Sequence, residues 1–318
     1  MVKYFYFLPL FLLFSGCISF NVALFSAPGP VEEVQIKPGK TSSKVLILDI
    51  DGVITNSSKG GMLTSMESPV SLLKQRLNKA KQDVNLKAIV LRVNSPGGGV
   101  TASDIMYEEL RRFREETGIP IVACFMDVVA SGGYYISMSA DKIVCHPTCI
   151  TGSIGVIAQL ATIGKLLEKV GVEPLAIKSG KHKDMASPFR KQTEEEKKIM
   201  QGLVDSMYGR FVDVVAKGRG IAREKVLKIA DGRVYDAAQA LELKLVDNIG
   251  YLEDAIAVAE QAAGIKHSKV VMYEAPGGHI NNIYSSEAKT SESALDKLAD
   301  GLLPGLGAGL YYLWIPGR

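Results

Sequence analysis

The chain is poor in cysteine and histidine and nearly balanced in charge, and each shortage removes a class of protein. Four cysteines in 318 residues are too few for a disulfide framework. Four histidines leave little material for a His-rich metal centre or for repeated acid-base chemistry. Lys plus Arg total 37 against 34 for Asp plus Glu, and a net charge of +3 supplies no field that would draw in a nucleic acid. No internal repeat is present, so one folded unit is expected. What the chain has is 47% hydrophobic and 22% charged residues, enough to bury a substantial core.

The N-terminus carries the first positive signal. Lys3 precedes an apolar run from Tyr4 to Phe14, and no charge follows until Glu32. This is the pattern of a secretory signal. The run is shorter than the roughly 20 residues a spanning helix needs, although a retained helix that tolerates Ser15, Ser19 and Asn21 is the alternative. Phe14-Ser15-Gly16-Cys17 resembles a bacterial lipobox, with Phe14 where Leu is usual, and makes Cys17 the candidate lipid attachment site. Either anchor places the remainder on the extracytoplasmic side of a bacterial membrane, the periplasmic side in a Gram-negative cell. The expected organisation is an anchor over 1–27, a Pro/Gly/Ser-rich linker over 28–43, a folded domain over 44–265 and an extension with an apolar tail over 266–318. The tail is expected to dock on its own domain or on a neighbouring copy.

From Lys44 onward apolar runs alternate with amphipathic stretches. Val45–Ile50, Ile89–Val93, Pro120–Phe125, Lys142–Val144 and Pro174–Ile177 read as strands. Ser71–Lys81, Ala102–Thr117, Ile163–Val170, Arg223–Ala230 and Leu252–Ala263 read as helices. Thr193 and Glu196 have capping-box spacing and open a long helix to Lys217. The fold class is therefore α/β with largely parallel strands.

Two glycine-bearing turns follow strands. Asn94-Ser95-Pro96-Gly97-Gly98-Gly99 lacks the Lys-Ser/Thr ending of a phosphate loop and the spacing of a dinucleotide site. It can instead present backbone N–H groups to a developing oxyanion. Ala130-Ser131-Gly132-Gly133 sets Ser131 on a sharp turn before a helix, where the alternative role is a simple cap. A serine hydroxyl needs a base to become a nucleophile. His267 and His279 lack a matching acid motif and His146 lies in a short turn between cysteines; His182 remains, and beside it the lysines of Ser179-Gly180-Lys181-His182-Lys183-Asp184 become candidates for a Ser-Lys dyad. Composition does not choose among them.

Together, Asn94–Val100, Ala130–Tyr135, Thr151-Gly152-Ser153-Ile154-Gly155-Val156 and Ile177–Pro188 resemble, in order, the motifs of bacterial signal peptide peptidase A of the short, single-unit type. The likeness runs from about Lys44 to Ile265 and includes Asp231–Asp236 and Leu245-Val246-Asp247. It implies a Clp/crotonase-like β-spiral fold with flanking helices, Ser131 as nucleophile and Lys183 as general base. It further implies Gly98 and Gly132 as oxyanion-hole donors and Ser153 as a support that orients the lysine amine. A homo-oligomeric ring with the dyad built between adjacent copies, no cofactor, and remnant signal peptides or other small or unfolded peptides as substrates complete the expectation.

Two rival readings exist. Val45–Val53 resembles the first motif of haloacid-dehalogenase-type phosphatases, with Asp49 as phosphate acceptor, but no Asp-Asp pair follows to hold magnesium. A membrane-tethered scaffold without catalysis is the non-enzymatic alternative, against which the retention of Ser131 and Lys183 argues. Cys145-His146-Pro147-Thr148-Cys149 lacks the second ligand pair of a zinc site. Cys145 and Cys149 read as buried thiols, with a small disulfide as the alternative, and Cys124 as core.

Overall fold

The apolar runs are strands covered on both faces, the condition that parallel sheets impose. A computed structural model describes residues 31–56, 60–61, 64–65, 67–274 and 309–314. Its strands are β1 (Glu32–Lys37), β2 (Lys44–Asp51), β3 (Gly60–Gly61), β4 (Thr64–Ser65), β5 (Leu86–Ser95), β6 (Gly97–Gly99), β7 (Ile121–Ala130), β8 (Lys142–Cys145), β9 (Ile150–Gly152), β10 (Ile157–Gln159), β11 (Val234–Asp236), β12 (Asn248–Ile249), β13 (Lys269–Glu274) and β14 (Gly309–Leu313). Its helices are α1 (Pro69–Gln82), α2 (Val100–Thr117), α3 (Gly132–Ser137), α4 (Gly164–Lys169), α5 (Glu194–Arg219), α6 (Arg223–Leu227), α7 (Ala237–Glu242) and α8 (Leu252–Ala262).

The main sheet runs β1-β13-β2-β5-β7-β8-β12, with β9 joining the far end of β7 and β11 pairing β9. From β13 to β12 every neighbouring pair is parallel, and β1 and β11 are antiparallel to their partners. Side chains alternate across it with the period of two of a pleated strand. Leu46, Leu48, Ile89, Leu91, Ala123 and Phe125 face one side, where Leu73 and Leu77 of α1 and Met106, Leu110 and Phe113 of α2 cover them. Val45, Ile47, Ala88, Val90, Val122 and Cys124 face the other, under Leu252, Ala255, Ile256 and Ala259 of α8. Each such large side chain contributes about 1.5–3 kcal/mol on burial, so truncating one, Leu110→Ala for example, costs about 2–5 kcal/mol.

Helix boundaries follow local chemistry. Thr193 Oγ1 accepts the Glu196 N–H at 3.2 Å while Glu196 Oε2 accepts the Thr193 N–H at 2.9 Å, closing the expected capping box of α5. Gly220, with φ 61°, ends that helix in the left-handed conformation that glycine tolerates.

Three expectations meet a different outcome. The stretch read as linker contains β1, which pairs with β13 beyond Ile265, so the sheet is wider than residues 44–265. Its alternation of exposed and half-buried side chains is too polar to stand out as a strand. Pro174–Ile177 forms no strand, and Ile177 is 95% exposed; a strand needs a neighbour to satisfy its backbone, and none lies beside it among the described residues. The helix expected over Ala230's neighbourhood is short, ending at Leu227. Cys124, Cys145 and Cys149 are buried free thiols, and no metal-binding group of His, Cys, Asp or Glu occurs among the described residues. Cys17 and the anchor lie outside the described residues, among which no helix is long and apolar enough to cross a membrane.

Candidate active site

Parallel strands β7 and β9 end side by side, Ala130 opposite Gly152, and each hands the chain to a serine. Ser131 and Ser153 thus leave the sheet next to one another at the carboxyl ends of the strands, where open α/β sheets bind ligands. The Ser131 N–H donates to the Gly152 carbonyl at 2.8 Å, and the Ser153 N–H donates to the Arg233 carbonyl at 2.8 Å. Both serines are buried and both have positive φ, 53° and 48°. A non-glycine residue costs about 1–3 kcal/mol in such a conformation, which persists only where surrounding contacts enforce it.

Ser131 occupies the position before α3 without capping it, since its side chain accepts no bond from the helix N–H groups. The capping alternative therefore fails. Its hydroxyl has no hydrogen-bond partner among the described residues.

The glycine-rich turn is packed against the same point. Ser95 Oγ donates to the Gly52 carbonyl at 2.6 Å and accepts the Gly97 N–H at 3.1 Å, fixing the entry to β6. The Ile54 N–H donates to the Gly97 carbonyl and the Gly99 N–H to the Ile54 carbonyl, both at 2.9 Å. A Cβ on Gly98 would stand 1.9 Å from that Ile54 oxygen. One on Gly97, where φ is +100°, would stand 2.6 Å from the Gly132 nitrogen, and one on Gly132 would stand 2.5 Å from Ser103 Oγ. Glycine is required because backbone meets backbone here, and the fold brings the Gly97–Gly99 turn, Gly132 and Ser131 together.

The other edge of β6 is filled by the chain's own tail. Strand β14 lies antiparallel between β6 and β10, with Tyr312 opposite Gly98 and Tyr311 opposite Ile157. The Tyr312 carbonyl oxygen lies against Gly97 and Gly132, and the Trp314 N–H donates to the Pro96 carbonyl at 2.8 Å. The Tyr312 ring is wholly buried, stacked on Tyr135 at 5.1 Å between centroids and tilted against Phe211 at 4.6 Å, with its hydroxyl donating to the Met207 carbonyl at 3.0 Å. Beside it opens a cleft of about 540 Å³ lined by Ser153, Gly155, Ile157, Tyr208, Asp231 and Leu313.

Lys183 is not among these residues. It sits on an arm, residues 155–195, in which no side chain is buried, and its own is exposed. The arm does separate Lys183 from Lys181, which composition left equivalent, and from the nearby Lys178. Lys178 pairs with Asp184 at 2.6 Å and Lys181 with Glu195 at 2.8 Å, whereas Lys183 Nζ has no hydrogen bond or ion pair among the described residues.

Three relatives bear on the identity of this site. The chain is 39% identical over 251 residues to a signal peptide peptidase SppA of Enterococcus faecium, covering 79% of this chain and 73% of that one. It is 40% identical over 237 residues to a protease of Synechocystis, covering 74% and 80%. It is 32% identical over 257 residues to the chloroplastic serine protease SPPA of Arabidopsis thaliana, covering 77% of this chain but 38% of that longer one. The family model for peptidase family S49 matches residues 113–266. The chain belongs to peptidase family S49.

As a family S49 protein it is a serine peptidase with the Clp/crotonase-like fold, here a mostly parallel central sheet with flanking helices. The S49 match takes in Ser131, Ser153 and Lys183, and the glycine-rich turn precedes it. The phosphatase reading falls with this assignment. Asp49 is gripped by Arg92, whose Nε donates to Oδ1 at 2.6 Å and whose Nη2 donates to Oδ2. That bidentate pair crosses adjacent strands and closes the carboxylate in a structural role. Two features around Ser131 and Lys183 do not show in the motifs: the tail strand over the glycines, and the ion pairs that leave Lys183 apart from its neighbours. The apolar tail residues Leu302, Leu303, Leu306, Leu310, Tyr311, Tyr312, Leu313 and Trp314, which made docking the expectation, are the signal for the first.

Proposed function

We propose that this chain is a membrane-anchored serine endopeptidase that cleaves remnant signal peptides and other small or unfolded peptides with a Ser131-Lys183 dyad. The free amine of Lys183 takes the Ser131 proton as Oγ bonds to the scissile carbonyl carbon. The carbonyl oxygen becomes an oxyanion held by the N–H groups of Gly98 and Gly132. Collapse breaks the C–N bond, the leaving amine takes the proton from Lys183, and an acyl-Ser131 ester remains. Water, deprotonated by the same amine, attacks the ester and releases the acid with Ser131 restored. Ser153, leaving the sheet beside Ser131, orients the lysine amine.

The observation that carries this reading is the strand already lying in the groove. Strand β14 pairs with β6 as an added strand would, and its Tyr312 carbonyl oxygen rests against Gly97 and Gly132 beside the uncapped Ser131. A peptide laid on the same edge would present its scissile carbonyl at the same place.

Lys183 is supplied by a neighbouring copy in a homo-oligomeric ring. Support comes from the arm itself: residues 155–195 hold no fully buried residue in one chain, yet they expose Ile163, Leu166, Val170, Leu175, Ile177 and Phe189. An apolar surface of that extent marks an interface. The anchor is the lipidated Cys17, and the catalytic domain faces the extracytoplasmic side.

A serine-directed fluorophosphonate probe tests the assignment. Labelling at Ser131, with cleavage of a signal-peptide-length substrate that disappears in Ser131→Ala, is expected. Absence of both from the assembled protein would favour the non-catalytic scaffold. Mass spectrometry of the mature N-terminus reads the anchor directly.

A further inference from the structure

We infer that Arg190 is the positioning residue for Lys183, clamping the lysine-bearing turn to the first turn of α5 through Asp184 and Glu196. The inference rests on the dyad reading and adds to it the device that holds the base.

The need for such a device follows from the arm. With no buried side chain between residues 155 and 195, apolar packing within the chain does not fix the backbone at Lys183. Local turns shape it, the Lys183 N–H donating to the Gly180 carbonyl at 3.1 Å and the Ser187 N–H to the Asp184 carbonyl at 3.1 Å. These short-range bonds set curvature, and the contacts of Lys181 and His182 with Glu195 tie the turn only to an exposed side chain, where an ion pair holds little. The nearest fixed point after the turn is Glu196, whose side chain is 2% exposed at the start of α5.

Arg190 spans the gap. Its Nε donates to Asp184 Oδ2 at 2.8 Å and its Nη2 to Asp184 Oδ1 at 2.7 Å, a fork-to-fork pair. On the other side Nη1 donates to Glu196 Oε2 at 2.9 Å and Nη2 to Glu196 Oε1 at 2.6 Å. Nη2 also reaches the Asp184 carbonyl at 3.2 Å, so the guanidinium holds the main chain one residue from Lys183. Two forked contacts from one planar group fix orientation as well as distance, which a lysine at that place would not do. Lys178 adds a second cation on Asp184, at 2.6 Å. Arg190 and Lys178 balance Asp184 and Glu196, so the cluster is neutral and leaves no uncompensated charge beside the base. The hydrogen bonds from Arg190 hold the carboxyl of Asp184 well below the usual carboxylate range and that of Glu196 at about 2, so both clamps remain ionised at neutral pH.

Arg190 acts through Lys183, so the effect belongs on turnover. In the full-length protein Arg190→Ala should lower kcat by about 10²-fold, the size of a misplacement near 1 Å, with KM within about twofold, the same assembly size, and slower fluorophosphonate labelling of Ser131. Arg190→Lys, which keeps the charge without the fork, should recover only part of the loss, and Asp184→Asn should fall between. An Arg190→Ala protein with parental kcat overturns the inference. So does one whose kcat loss comes with a raised KM and a broken assembly, because that marks a merely structural role. If Arg190→Ala does not fold, Arg190→Lys and Asp184→Asn decide, and parental kcat in both overturns it. Lys183→Ala separates the two levels: full activity there removes the dyad reading itself, whereas an inactive Lys183→Ala beside a parental Arg190→Ala removes only the clamp.

Discussion

The carbonyl oxygen of Tyr312 lies 2.0 Å from the point where a Cβ on Gly97 would stand. The same Cβ would stand 2.6 Å from the Gly132 nitrogen, on the opposite wall. Gly97→Ala therefore meets obstruction even when the tail is absent, and it adds strain at φ +100° of about 1–3 kcal/mol. A fall in kcat of about 10²-fold is expected, comparable to losing one oxyanion donor. Gly99→Ala is the control, since its Cβ finds no atom nearer than 3.9 Å. Peptide hydrolysis and thermal melting of the two variants check the contrast.

On the proposed reading a substrate strand would take the edge of β6 that β14 occupies, so the two would compete. Ending the chain after Ala308 should lower the apparent KM for peptides on the order of tenfold, because the competent fraction rises. Tyr312→Ala should do so in part, since it removes the ring stacked on Tyr135 and Phe211. Steady-state kinetics at fixed assembly concentration reads both effects.

If Ser131 and Lys183 meet across a subunit contact, two dead chains complement each other. Ser131→Ala and Lys183→Ala co-expressed in equal amounts should recover activity at about a quarter of the contacts, by random assortment round a closed ring. Each variant alone should be inactive. Mixed assemblies that stay at the background of the singles would place both dyad members in one chain.

The Glu196 carboxyl is lowered from 4.5 to about 2, first by the Arg190 hydrogen bond and then by the Thr193 N–H. A depressed folded-state value contributes stability that is complete above the ordinary carboxylate value and is lost as pH falls through about 2. The melting-temperature deficit of Glu196→Gln relative to the parent should therefore hold from pH 7 down to about 4.5 and shrink toward pH 2. Melts across that range supply the test; a deficit that grows on acidification would contradict the assignment.

How much of this was legible in sequence depends on the range over which each feature is determined. β2, β5 and β7 announce themselves because both faces are buried and the apolar run is unbroken. The capping box at Thr193 and Glu196 is complete within four residues. The Ser131 turn is readable because Gly132 and Gly133 are needed where α3 meets Ser103 and Ser95. β1 hides because its exposed face carries Glu33 and Lys37, and its partner β13 is far along the chain. β14 is apolar enough to notice, but its partners β6 and β10 lie far back in the chain. Pro174–Ile177 has strand composition without a strand neighbour, and composition alone carries no record of what lies alongside. Composition left Lys181 and Lys183 alike; beyond the family resemblance, what separates them is Glu195, whose side chain pairs with Lys181.

Every partner of β14 precedes it in the chain, β6 by some two hundred positions, so translation order has a consequence. The glycine-lined edge emerges from the ribosome and can fold around its own hydrogen-bonding groups before the strand that covers it has been made. A product terminated before Gly309 would present the groove open, whereas one that includes β14 closes it. Ribosome profiling of folding with chains stalled before and after Gly309 would see the edge of β6 change from open to covered.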